Sequence, residues 1–179
     1  MSTAATSRRP APSEPVLPLS RRSRQAVRVT HIVAAGSWIG VDVVVAVLVL
    51  TGWSSPDAGL RGLAYRALAN FIVAPMLVSA AVCLLTGLML GLGTKWGLVR
   101  YWWVLVKLVL NTALCIAIVF VLAPGMPEID RYGATGGAAG SARTETLFFP
   151  PAVSLTALTF AVVLASAKPW GPIRRKASA

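Results

Sequence analysis

Asp42 stands in the middle of an apolar run that extends from about Ile32 to Thr51. At roughly 1.5 Å per residue, a helix through this run would carry it about 18 Å from Thr30, close to the centre of a bilayer. A charged side chain at that depth costs at least ~2.5–3.5 kcal/mol. Asp42 is therefore expected to face the interior of a bundle, with a partner or with water. Lys107 and Asn111 lie one helical turn apart in a second apolar run, and Cys115 continues their ridge. The expected intramembrane polar cluster is Asp42, Lys107 and Asn111. Two readings stand side by side. One is a structural polar clamp, in which Lys107 also snorkels toward the interface. The other is a proton or ion relay, or a ligand site.

His31 is the single histidine of the chain. It is expected at the end of the first apolar run. A pair of histidines on one haem therefore cannot come from one chain. A dimer, or a His–Met pair with Met76 or Met89, leaves His31 as a candidate metal ligand. The other reading is a structural histidine at the interface. Cys83 and Cys115 both fall within apolar runs, which speaks against a disulfide framework and for small buried hydrophobes. No Walker loop, Gly-x-Ser-x-Gly elbow, His-Glu-x-x-His or Cys-x-x-Cys occurs. The chain is expected to be no enzyme and to carry no cofactor.

These residues need elements to hold them, and the apolar runs supply four. They cover about 32–51, 68–92, 102–122 and 149–167. Each has roughly 20 residues or slightly more, enough to cross a ~30 Å hydrocarbon core as a helix. A transmembrane barrel would show alternating segments of about ten residues, which are absent. Helices satisfy their own backbone hydrogen bonds in lipid. The expected fold is an all-α membrane protein, a four-helix transmembrane bundle. Composition agrees: 56% of residues are hydrophobic and 13% charged, where a soluble domain has roughly 25% charged.

The same patterns divide the chain into a disordered basic tail at 1–28, a four-helix domain at 29–168 and a second basic tail at 169–179. Pro10, Pro12, Pro15 and Pro18 break any helical period in the first tail. Ser20-Arg21-Arg22 is faintly similar to a twin-arginine export signal, but the apolar run that follows is long and is succeeded by further spans, so a first anchor is expected. Of the 17 Lys and Arg, twelve fall on one side of the bundle. They are Arg8, Arg9, Arg21, Arg22, Arg24, Arg28, Lys95, Arg100, Lys168, Arg174, Arg175 and Lys176. The other side holds Arg61, Arg66, Arg131 and Arg143, and Lys107 lies in a span. This bias predicts both termini in the cytoplasm. Trp96, Trp102, Trp103 and Trp170 suit the headgroup level on that side, and Trp53 the opposite one. The net charge of +11, spread this way, predicts contact of the basic tails with anionic lipid headgroups, and no nucleic acid. The stretch from Pro124 to Leu147 is expected to be a flexible external loop, with substrate gating as its alternative role. Asn70 and Pro75 predict a local kink in the second span.

Gly36 and Gly40 share one face of the first helix, opposite Asp42. Gly87 and Gly91 continue a ridge with Ser79 and Cys83 in the second. Small residues four apart let helices approach closely, so all four glycines are expected at helix contacts.

The stretch His31-Ile-Val-Ala-Ala-Gly-Ser-Trp38-Ile-Gly40 resembles the first-helix signature of the copper-resistance protein D-like membrane proteins and related bacterial integral membrane families, in which a His is followed after six residues by Trp-x-Gly. Tyr101, Leu105, Lys107 and Leu108 are similar to the aromatic-Leu-x-Lys-Leu start of another of their helices. The resemblance covers two of the four spans. It implies a helical bundle and, loosely, copper uptake or tolerance. Copper takes soft or imidazole ligands, and the spans offer His31, Met76 and Met89.

Three functions follow as expectations. The first is a small multi-spanning protein of a bacterial inner (plasma) membrane with an accessory, assembly or structural role, with a homo-oligomer or a partner membrane subunit open. The second is a transporter or channel subunit for an ion, a proton or copper, using Asp42 and Lys107. The third is a membrane redox or metal protein using His31.

Overall fold

The computed structural model describes residues 17, 19–93, 101–137 and 144–167. Helix α1 spans Arg21–Ser54, α2 Ala58–Phe71, α3 Val73–Leu92, α4 Trp102–Ala117, α5 Ala123–Ala134 and α6 Phe149–Ala167. A π-helical segment, Ile118–Leu122, joins α4 to α5, and a 3-10 turn, Thr144–Phe148, leads into α6. Taken with these joints, four helices are long and apolar enough to cross a membrane: Arg21–Ser54, Ala58–Leu92, Trp102–Ala134 and Thr144–Ala167. Valines, leucines and phenylalanines such as Val47, Leu85, Phe120 and Val163 cover their outer faces. A contiguous apolar exterior of this kind suits lipid.

The helices run up and down around a square. α1 packs along α3 and α6, and α4 packs along α3 and α6. α1 and α4 therefore stand across the diagonal. The core between them holds Trp38, Val45, Val49, Met76, Ala80 and Leu158.

Helix ends and breaks have local causes. Ser20 caps α1, its hydroxyl accepting from Ser23 N–H at 3.1 Å. The helix thus begins at Arg21, so residues 21–28 of the expected disordered tail are helical. Asp57 caps α2 through Leu60 N–H at 3.0 Å. The second span breaks at Ile72, three residues before Pro75. Proline has no N–H to give the Phe71 carbonyl and crowds it, so the helix restarts there.

The segment from Pro124 onward is not a flexible loop up to Leu147. α5 carries the third span as far as Ala134. Pro124 sits in its first turn, where a proline is tolerated, whereas Pro127 lies inside the helix and has no N–H to give the Ala123 carbonyl. The strain passes upstream, where Ala123 N–H reaches back five residues to Ile118 O. α5 then packs along α2. Gly62 and Gly133 allow this close approach: a Cβ on Gly62 would lie 2.5 Å from Gly133 O. Asn70 Nδ2 donates to Asp130 Oδ1 at 2.7 Å, Arg66 Nε lies 3.7 Å from the same oxygen, and Arg61 Nε donates to Gly136 O at 2.8 Å. The basic tail at 169–179, residues 1–16, and Lys95, Trp96, Arg100, Arg143, Lys168 and Trp170 lie outside the described residues.

Candidate functional site

Asp42 is fully buried. It receives the Ser154 hydroxyl from α6 on Oδ2 at 2.6 Å, and its Oδ1 has no hydrogen-bond partner among the described residues. Trp38, one turn earlier on α1, is also fully buried, and its indole N–H has no acceptor among the described residues. Both side chains line a cavity of about 830 Å³. Its walls come from α1, α3, α6 and the α4–π–α5 helix, including Met76, Ile118 and Val153. Glu128, Thr146 and Phe149 are exposed where they line it, so the cavity runs from a buried polar floor to an open rim. Its size and mostly apolar lining match small-molecule sites.

The expected cluster is therefore separated. Asp42 takes its partner from α6, not from Lys107 or Asn111, because α1 neighbours α6 and stands diagonal to α4. Lys107 instead lines a second cavity, of about 960 Å³, together with His31. Its ammonium sits 4.7 Å from the Trp103 ring centroid, and it lies within electrostatic range of His31. Asn111 lies within hydrogen-bonding reach of Cys83 on α3 and accepts from the Cys115 thiol at 3.5 Å.

His31 spans from α1 to α3. Its Nδ1 is 3.0 Å from Cys83 O and 3.0 Å from Thr86 Oγ1. A carbonyl oxygen only accepts, so Nδ1 carries the hydrogen. The Thr86 hydroxyl gives its own hydrogen back to Val82 O at 2.6 Å. Gly87 makes room for the ring: a Cβ there would lie 3.3 Å from His31 Cε1. Gly91 is buried on the same ridge. Gly36 and Gly40, by contrast, are exposed, and a Cβ on either would meet nothing within 4 Å. Among the described residues, the small-residue face of α1 meets no other helix. The faces of α1 that bury are those of Trp38, Asp42, Val45 and Val49, where the side chains themselves fill the interface. Among the described residues, no group of three His, Cys, Asp or Glu is arranged to hold a metal.

Ser154 is the site residue that the sequence does not announce. A serine among the hydroxyls of an apolar helix carries no signal of its own. Only the pairing of α6 with α1 selects it over Thr156, which bonds back to Ala152 O in its own helix at 2.7 Å.

Comparison of the chain with family models, with curated proteins and with solved structures gave no match.

Proposed function

We propose that this chain is an accessory membrane protein whose bundle holds a membrane-soluble molecule in the cavity floored by Trp38 and Asp42. One observation carries the reading: two fully buried polar atoms, the Trp38 N–H and Asp42 Oδ1, have no partner among the described residues and belong to side chains lining the same apolar cavity. A buried polar atom without a partner costs about 1–3 kcal/mol. A ligand head that both donates and accepts, such as a primary amide or a hydroxyl, satisfies the pair. Its apolar body then lies along Met76, Ile118 and Val153.

Thermal unfolding of the purified chain in mild detergent tests this. A long-chain primary amide or alcohol should raise the midpoint, and the matching alkane should not. Trp38→Phe together with Asp42→Leu should remove the shift. Equal stabilisation by the alkane, or an undiminished shift in the double variant, defeats the reading.

The charge bias of the sequence supports an orientation with both termini in the cytoplasm of a bacterium and the chain in its inner membrane. The rim at Glu128 and Thr146 then faces outward. The kinship with copper-resistance protein D-like proteins rests on His31, Trp38 and Gly40 and on Tyr101 to Leu108. No geometric observation favours a conduction path shared by Asp42 and Lys107, since they line different cavities.

A further inference from the structure

The cavity floored by Trp38 and Asp42 also opens sideways, along the seam between the third span and α6. Two columns of residues line it at the protein surface. On the third span they are Val121, Gly125 and Glu128, at spacings of four and three that keep them on one helix edge. Across the seam they are Thr146, Phe149 and Val153. Lining residues one step inward, such as Met126 and Leu147, are buried. A side chain that lines a cavity and is also exposed stands at its mouth, and Val121, Phe149 and Val153 are 74%, 68% and 57% exposed. From Val121 to Glu128 the helix rises about 10 Å, so the mouth is a tall slot. Its lower part is apolar and its upper end carries Glu128 and Thr146. That order matches one leaflet of a bilayer, from hydrocarbon to headgroups. Gly125 keeps the slot clear. A Cβ there would meet nothing within 4 Å among the described residues, so a larger side chain would occupy the seam.

We infer that the occupant of this cavity is a single-chain lipid with an uncharged hydroxyl or amide head, that it enters sideways from the bilayer through this slot, and that Gly125 sets the width of the slot. The inference rests on the reading given above, in which Trp38 and Asp42 hold a polar head. The slot supplies the route: a molecule already in the bilayer passes Val121 and Val153 without returning to water. An uncharged head suits that route, because an ion carried to the bilayer centre is costly. The volume supplies the limit. About 830 Å³ is the size of a site for a drug-sized molecule, enough for one chain and too little for a two-chain lipid.

The test places the full chain in phosphatidylcholine vesicles with dodecanol carrying a mid-chain diazirine, which is flashed at intervals after mixing. Met76 lines the cavity and is 3% exposed, so label on Met76 reports entry. Dodecanamide should compete with it, and dioleoylglycerol, with the same hydroxyl and two chains, should not. Gly125→Trp should slow the labelling of Met76 by about an order of magnitude, since entry then waits for the indole to move aside. Gly36→Trp, on the exposed face of α1, should leave the rate unchanged. If Gly125→Trp does not fold, Val153→Trp narrows the slot from α6 and should slow labelling likewise. Unchanged rates in both slot variants would overturn the route while leaving the site at Trp38 and Asp42 standing. Equal competition by dioleoylglycerol would overturn the single chain. An unlabelled Met76 in the unaltered chain would defeat both the route and the reading on which it rests.

Discussion

The Ser154 hydroxyl donates to Asp42 Oδ2 at 2.6 Å across the α1–α6 contact. Among the described residues it is the one hydrogen bond to this fully buried acid, and its loss leaves neither carboxyl oxygen with a partner there. Ser154→Ala should therefore lower stability by about 1–3 kcal/mol. Asp42→Asn keeps an acceptor for Ser154 and should fold better than Asp42→Leu. A double-mutant cycle on the detergent unfolding midpoint checks both statements. Additive effects of Ser154→Ala and Asp42→Leu would show that the two side chains do not interact.

Gly62 and Gly133 set the distance between α2 and α5. A Cβ on Gly133 would lie 2.8 Å from Arg66 Cγ and 2.9 Å from Gly62 O. A backbone oxygen cannot swing away, so Gly62→Leu should force the helices apart and destabilise by about 1–3 kcal/mol or more. Gly40→Leu projects into open space and should leave stability nearly unchanged. The comparison of the two unfolding curves is decisive, because reversed effects would mean the opposite helix faces are packed.

His31 links α1 to α3 through Cys83 O and Thr86. His31→Leu removes the ring N–H that reaches the Cys83 carbonyl, and the Thr86 hydroxyl, 3.2 Å from that oxygen, can replace it only by turning its one hydrogen away from Val82 O. The expected cost is about 1–2 kcal/mol. Thr86→Val should cost less, as Nδ1 keeps the carbonyl. Unfolding midpoints of the two variants should rank in that order.

The proposed orientation places both termini in the cytoplasm. A reporter fused after Ala179 should behave as cytoplasmic, and one inserted between α5 and the 3-10 turn as external. A C-terminal reporter active outside the membrane would reverse the assignment.

The spans were legible because length and apolarity are properties of a segment alone. The break near Pro75 was legible because its cause lies within a turn of it. Helix rotation was not, because lipid and core are both apolar. An amphipathic stripe therefore does not say which face is inside, and Gly36 and Gly40 looked like a packing face while facing outward. Asp42 was legible as buried from its cost, but its partner depended on which helix stands next to α1. Lys107 and Asn111 had the right depth and the wrong corner of the square. α5 was missed because the Gly-Gly-Ala-Ala-Gly run at 136–140 and the acids Glu128, Asp130 and Glu145 read as a loop, whereas the first turn of a helix accepts a proline such as Pro124.

The π-helical segment has a consequence for azimuth. An α-helix turns about 100° per residue, so one surplus residue in a widened turn rotates everything beyond it by about that angle. The inward stripe on the third span passes through Ile118 and continues at Met126, Ile129 and Gly133. An unbroken α-helix would bring it instead toward positions 125 and 132. Deleting one residue from 118–122 would let the span close into a regular helix with Gly133 still toward Gly62, whereas closing the π-turn with no residue lost would swing Gly133 away and point its neighbours at α2. The irregularity thus works as a phase shifter: it lets one helix present one face to the bundle below and another to α2 above.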